Sequence, residues 1–281
     1  MIELFPSRTV AIALFGFPVH WYGLMYLLGF LIAWWLLPRL QRFRGLSLSH
    51  DEWSGILSAS VLGVLIGGRL GFVLLYQPAY YLNHLPEIVA VWQGGMSSHG
   101  GFIGVSVALL IVLRHRSWSD ILAIADVVVI PVAIGLGLGR IGNFINQELY
   151  GTLTTLPWGM LFPGAEGLRH PVQLYELAGD WLNAAVCFFW LQRTSKRFTA
   201  GQIFALFLML YGVVRFLVEF VRAQDYPMVH LSILTMTIGQ VYTIPLFLAG
   251  AVVWWWSRHA APSPIGRRLG LGEWAGEREF C

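Results

Sequence analysis

Residues 121–151 read ILAIADVVVIPVAIGLGLGRIGNFINQELYG. From Ile121 to Gly139 the only charge is Asp126, and everything else is apolar or glycine. At 1.5 Å per residue a helix of about 20 such positions crosses a hydrocarbon core of roughly 30 Å. The run ends on Arg140, Asn143, Asn146 and Glu148, set among glycines up to Gly151. A charged side chain at membrane depth is costly and is usually retained for function. The amides bring donors and acceptors, and the glycines allow close approach. The stretch therefore reads as a spanning helix whose end holds an anionic, polar head group where lipid meets water.

The rest of the chain agrees on the class. It has 281 residues, 57% of them hydrophobic, 12% charged and 13 of them Trp, with a mean hydropathy of +0.65. Soluble domains carry about twice that charge fraction. Seven apolar runs of near-spanning length recur, at Trp21–Leu37, Trp53–Tyr76, Met96–Leu113, Ile121–Arg140, Val172–Leu191, Gln202–Val221 and Ile238–Trp256. Alternating polarity of the closed-barrel kind is not seen. The expected fold is all-α, a polytopic membrane bundle of seven transmembrane helices formed by residues 1–259. An outer loop region lies at about 141–171, and residues 260–281 form a Pro-, Gly- and Arg-rich tail expected to be poorly ordered.

Of the 18 Lys and Arg, twelve follow spans one, three, five and seven, beginning with Arg39, Arg42 and Arg44. The positive-inside rule then places the N-terminus outside and the C-terminus in the cytoplasm. The same bias explains the net charge of +3, and without an aromatic-interleaved basic patch it gives no case for nucleic acid. The N-terminus opens on Glu3 without a basic region, so Phe5–Val19 reads as an interfacial arm rather than a cleavable signal. Cys187 reads as a small buried hydrophobe and Cys281 ends the tail, so no disulfide is expected. The terminal Arg-Glu-Phe-Cys is not a prenylation box.

This topology gathers the intramembrane polar groups near the outer ends of their spans. Tyr211, Arg215 and Glu219 are spaced i, i+4, i+8 and share one helix face, as do Arg140 and Asn143 at i, i+3. His99 opens span three, and His20 and Tyr22 open span one, at the same depth. Competing structural readings exist. Arg215 and Glu219 can be a buried ion pair that locks a helix. Arg69 among glycines favours structure, and His20 and Trp21 also suit interfacial anchors. Gly63, Gly67 and Gly71, like Gly135 and Gly139, have the spacing of helix–helix contact surfaces. The role of Glu176 is open: it can pair with an arginine or cap polar contacts.

The residue types exclude several chemistries. His-Glu-x-x-His and Cys-x-x-Cys are absent, so no metal is expected. Gly-x-Ser-x-Gly is absent too. Two arginines remain, which pair bidentately with phosphate, beside one or two candidate bases. An arginine-lined pocket among apolar helices suits the phosphate of a glycerophospholipid. A rival from another class is an anion transporter or lipid scramblase with an arginine-lined path. It needs polar residues through the inner halves of the spans, where Asp126 and Asp180 are the exceptions.

Five stretches carry a resemblance: Gly139–Gly151, His20-Trp-Tyr-Gly-Leu-Met-Tyr26, His99-Gly-Gly101, His170-Pro-Val-Gln-Leu-Tyr-Glu176 and Tyr211-Gly-Val-Val-Arg-Phe-Leu-Val-Glu219. Together they resemble the prolipoprotein diacylglyceryl transferases, over most of the chain and in the expected order; only the tail does not align. The resemblance implies a bacterial inner-membrane enzyme with its site toward the periplasm. It implies transfer of a diacylglyceryl group from phosphatidylglycerol to the lipobox cysteine of a prolipoprotein, with glycerol 1-phosphate leaving and no cofactor. His99 is then the first choice as base for the thiol, with Tyr22 or Tyr211 orienting it or relaying a proton. Arg140 and Arg215 hold the leaving phosphate. Asn143 and Asn146 bind hydroxyls or phosphate oxygens, Glu148 and Glu219 hold the arginines or the loop, His20 lies at the substrate-binding rim, and Gly151 allows a tight turn. A monomer is expected, since no lipid-facing stripe stands out as a dimer seam.

Overall fold

The computed structural model describes residues 10–14, 17–91, 94–195, 199–224, 229–231 and 234–259. The expected tail at 260–281 and the first nine residues lie outside that set. So do the side chains of Ser98 and His99, although both belong to a helix. Contacts divide the chain into two compact units, one of residues 47–121 and one of residues 1–46 with 122–281.

In the unit of residues 47–121, helix α2 (His50–Leu75) starts on a capping box. The Glu52 amide donates to Ser49 Oγ at 3.2 Å, and the Ser49 amide donates to Glu52 Oε2 at 2.8 Å. This reciprocal pair satisfies two of the donors that a helix start leaves free. Helix α3 (Pro78–Asn83) is short and begins on proline. Helix α4 (Ser98–Leu113) is capped by Ser97 Oγ, which accepts from the Gly100 amide at 3.2 Å. Helices α2 and α4 meet through the expected small residues. A Cβ on Gly63 would lie 2.7 Å from the Gly104 carbonyl oxygen, and one on Gly71 would lie 2.7 Å from Gly100 Cα. In this setting close backbone packing supplies the attraction that the hydrophobic effect cannot. Arg69 is structural. Its Nε donates to the Ile88 carbonyl at 2.8 Å, its Nη1 to Gly94 and Gly95, and its Nη2 to Glu87.

The other unit opens on a hairpin of β1 (Val10–Leu14) and β2 (Phe17–His20), a strand pair that the all-α expectation lacks. Helix α1 (Trp21–Leu40) follows at once. It ends in a 3₁₀ turn, Gln41–Arg44, closed by Gly45 in the left-handed conformation (φ 61°). Helix α5 (Trp118–Asn146) runs six residues beyond Arg140. The loop therefore starts at Gln147 and not at about residue 141. Glycine weakens a helix without ending it, and the chain turns only where Gln147 takes a φ of 57°. Helices α6 (Val172–Arg193), α7 (Gln202–Val218) and α8 (Ile238–His259) complete the unit. Two small antiparallel pairs lie in its loops, β3 (Met160–Leu161) with β4 (Leu168–Arg169) and β5 (Val229–Leu231) with β6 (Leu234–Met236).

Glycines set several helix contacts of this unit. Gly142 faces the Tyr22 ring, where a Cβ would lie 3.2 Å from Cδ1, and Gly29 faces Gly135. A Cβ on Gly135 or on Gly139 would meet nothing within 4 Å, so neither of these two positions needs glycine for packing. Four of the seven expected spans are long and apolar enough to cross a membrane: Trp21–Arg44, His50–Leu75, Trp118–Asn146 and Ile238–His259. The apolar stretches Gly100–Leu113 and Gln202–Val218 are shorter. Helix α6 is 22 residues long but carries Gln173, Glu176, Asp180 and Asn183, all buried.

Candidate active site

Glu176 is the centre of the site. It sits one turn into α6, 3% exposed, and its carboxylate meets three arginines. Oε2 lies 3.2 Å from Arg140 Nε on α5. Oε1 lies 2.7 Å from Arg215 Nη1 on α7 and 3.3 Å from Arg222 Nη1 just beyond α7. Arg215 also pairs within its own helix, Nη2 to Glu219 Oε1 at 2.5 Å. Glu219 is fixed in turn by Thr237 Oγ1 at 3.0 Å and Gln224 Nε2 at 2.8 Å. Gly239 is required there, because any Cβ would strike the Glu219 carboxylate. Mutual attraction at low dielectric offsets the cost of burying these charges only because each carboxylate has several partners.

A second network joins the first through Arg140. Its Nη1 lies 3.4 Å from Asn143 Oδ1, one turn on. Asn143 Nδ2 donates to Glu148 Oε1 at 2.9 Å and also meets the Tyr22 hydroxyl, which donates to the same carboxylate oxygen. Glu148 is presented by a strained turn, since Gln147 and Leu149 on either side both have φ 57°. Left-handed backbone costs a non-glycine residue about 1–2 kcal/mol. The turn is held by the Glu148 amide on the Asn143 carbonyl at 3.1 Å and by Gln173 Nε2 donating to the Glu148 carbonyl at 2.5 Å. Strain of this kind concentrates where a side chain must be aimed.

The structure thus brings Tyr22, Arg140, Asn143, Glu148, Arg215 and Glu219 into one connected cluster. Tyr211 lies one turn before Arg215, has Arg140, Arg215, Asp180 and Glu176 as its charged neighbours, and stacks on Phe207 at 6.0 Å. Asn146 is the last residue of α5, and its Oδ1 is buried with no hydrogen-bond partner among the described residues. His20 is exposed at the end of β2, directly before α1. Gly151 is buried and pairs as an isolated bridge with Arg222. Its φ is not positive, so glycine serves space there and not a tight turn: a Cβ would lie 2.6 Å from His170 Cβ and from Val172 Cγ2. The His99 side chain lies outside the described residues.

Two site residues escape the sequence reading. Glu176 is left open there because one carboxylate on an apolar helix names no partner. Arg222 is not singled out there. Its signal is spacing, because positions 215, 219 and 222 share one face of a continuing helix.

Asp126 is absorbed by structure. It is fully buried, 2.9 Å from Arg44 Nε, and accepts from the Gly201, Ile203 and Phe204 amides at 2.8–3.0 Å. It therefore caps the start of α7 while Arg44 reaches Thr194 Oγ1 at 3.1 Å. A carboxylate so fully occupied is no part of a polar path across the inner half. Cys187 is buried, with Sγ on Asn183 Oδ1 at 3.3 Å. Among the described residues, no group of three or more His, Cys, Asp or Glu is placed to hold a metal ion.

The family model described as Prolipoprotein diacylglyceryl transferase matches residues 9–256. The chain belongs to the prolipoprotein diacylglyceryl transferase family. It is also similar to curated proteins named phosphatidylglycerol–prolipoprotein diacylglyceryl transferase. That of Bordetella avium (strain 197N) is 44% identical over 258 residues, covering 90% of this chain and 96% of the relative. That of Geobacter sulfurreducens is 44% identical, covering 82% and 88%. That of Methylobacillus flagellatus is 45% identical, covering 87% and 94%. As a diacylglyceryl transferase family member the chain is an enzyme of the transferase class with membrane helices. The family match takes in every member of the arginine–carboxylate cluster.

Proposed function

We propose that this chain transfers the sn-1,2-diacylglyceryl group of phosphatidylglycerol to the lipobox cysteine of prolipoproteins. A thioether forms and glycerol 1-phosphate leaves. The observation that carries the reading is the pair Arg140 and Arg215 held on one carboxylate, Glu176, in a chain of this family. Seven spans with the N-terminus outside, a bacterial inner-membrane location, a periplasm-facing site and a monomeric state complete the proposal. They rest on the charge bias and the family resemblance.

The chemistry follows from the donors that remain. A guanidinium has five N–H groups. Glu176, Glu219 and Asn143 occupy some of them, and the Arg140 and Arg215 side chains keep 20% and 19% of their surface. A phosphate can therefore join the cluster without displacing Glu176. The substrate thiol loses its proton, sulfur bonds to the glyceryl carbon, and the C–O electron pair leaves on the phosphate. A phosphodiester with one charge becomes a monoester with a second ionisable oxygen. Fixed cations placed where that charge grows lower the barrier selectively. A free thiol has a pKa near 8.5, so a base is needed, and His99 is proposed for it. Tyr22 is held by Glu148 and Asn143 as a polar neighbour, and Tyr211 is the alternative. Cys187, buried and bonded to Asn183, leaves the attacking sulfur to the substrate.

The test is reconstitution of the purified chain with phosphatidylglycerol and a synthetic lipobox peptide. Gain of the diacylglyceryl mass on the peptide, matched by released glycerol phosphate, is expected. A folded protein that leaves the peptide unmodified overturns the proposal.

A further inference from the structure

The two networks of the site close into a ring. Arg140 meets Asn143, Asn143 meets Glu148, and the Glu148 carbonyl accepts from Gln173. Gln173 stands one turn before Glu176 on α6, and Glu176 returns to Arg140. Arg140, Asn143 and Gln173 each give a donor to a carboxylate or carbonyl, whereas several acceptors are idle. Gln173 Oε1, Asn146 Oδ1 and Gln147 Oε1 are buried with no hydrogen-bond partner among the described residues, and Glu176 Oε2 has only the ion pair with Arg140. Gln173 itself is fully buried. Its amide orientation is set by its own bond, because turning it over would put oxygen against the Glu148 carbonyl.

Buried polar atoms are nearly always paired, and each exception calls for a cause. An ionised lipid phosphodiester carries acceptors only and cannot satisfy Gln173 Oε1, whose orientation is fixed. A head group with hydroxyl donors can. We infer that Gln173 is a specificity-determining residue that accepts a hydrogen bond from a hydroxyl of the head-group glycerol, with Asn146 and Gln147 completing an acceptor-lined subsite beside the arginine pair. This rests on the proposed use of phosphatidylglycerol and names the part of that lipid the ring selects. The glycerol leaves with the phosphate, so these bonds hold the leaving group in line without touching the carbon under attack. A site built to pair a hydroxyl discriminates strongly against an analogue without it, because the buried partner is then left bare.

Phosphatidylpropanol keeps the phosphodiester and the chain length of the head group but lacks both hydroxyls. The full-length protein is given phosphatidylglycerol or phosphatidylpropanol, with the lipobox peptide as acceptor, and the two transfer rates are compared. Wild type is expected to favour phosphatidylglycerol by about tenfold or more. In Gln173→Leu the ratio of the two rates should collapse toward one, on top of any loss that both lipids share through the Glu148 turn that Gln173 Nε2 holds. Equal wild-type rates with the two lipids overturn the inference whatever the variant does. A variant that keeps the wild-type ratio, whether its two rates hold or fall together, assigns Gln173 to structure and overturns the inference, as does one with no transfer from either lipid. Absence of wild-type transfer from either lipid is a different result, since it removes the proposed function itself. Asn146→Ala provides the second variant, expected to narrow the ratio in the same direction.

Discussion

Arg215 Nη1 lies 2.7 Å from Glu176 Oε1, so that the arginine of α7 is held by a carboxylate of α6 and not only by Glu219, its helical neighbour. The arginine is thereby fixed between two helices. Glu176 performs the same service for Arg140 and Arg222, and one carboxylate sets the spacing of three cations.

Glu176→Gln is expected to loosen the whole site. Breaking a buried ion pair by removing one partner costs about 3–5 kcal/mol, reduced here because the arginines keep some exposure. A lower thermal midpoint in detergent should accompany a large loss of transfer. An unchanged midpoint with wild-type transfer would show that the arginines need no common anchor.

Arg140→Ala and Arg215→Ala should each lower transfer by roughly 10²–10³, the usual cost of one transition-state donor, while the protein still inserts. Arg215→Lys should recover little, because an ammonium cannot span Glu176, Glu219 and a phosphate at once. A single-turnover assay reads both. Wild-type rates in either alanine variant would remove that arginine from the mechanism.

His99→Gln should slow transfer by about 10²–10⁴, the range for a general base, with phosphatidylglycerol binding little altered. Lipid binding and turnover are measured on the same preparation. Intact turnover would move the role to Tyr22 or Tyr211, which Tyr22→Phe and Tyr211→Phe then separate.

Asp126→Ala acts at a distance from the chemistry. It leaves Arg44 buried without its anion and uncaps α7, at about 3–5 kcal/mol for the broken pair. Thermal unfolding should show the loss. Transfer per folded molecule should fall much less than in the arginine variants, and a fall as deep as theirs would contradict a purely structural part.

Cys187→Ser should retain activity, since a serine hydroxyl can also donate to Asn183 Oδ1. Mass spectrometry of the lipobox peptide checks it, and loss of transfer in a folded variant would revive a covalent enzyme intermediate.

Membrane class, the helical character of the chain and the identity of most cluster residues follow from the sequence because each is a local property. An apolar run of spanning length is visible in any window, an arginine within one is conspicuous, and the i, i+4 face shared by Tyr211, Arg215 and Glu219 needs only helical geometry. The packing role of Gly63, Gly67 and Gly71 was legible for the same reason, and the spacing at Gly135 and Gly139 shows its limit. Identical spacing there leaves open space where a Cβ on either glycine would point, because the pattern does not say what stands opposite.

The tertiary structure decided which groups pair. Glu176 is 36 residues from Arg140 and 39 from Arg215, and no local rule selects it over Glu148 or Asp180 as their partner. Asp126 and Arg44 are likewise separated by 82 positions. The course of α5 to Asn146 and the left-handed turn around Glu148 were also beyond a reading of residue types, since contacts from Asn143 and Gln173 hold a backbone that propensity disfavours. The sequence by itself determined that charged and amide side chains would lie at the ends of apolar helices. Only the folded chain decided that three arginines gather on one carboxylate, because Coulomb attraction and hydrogen bonding act over a few ångströms of space and are blind to distance along the chain.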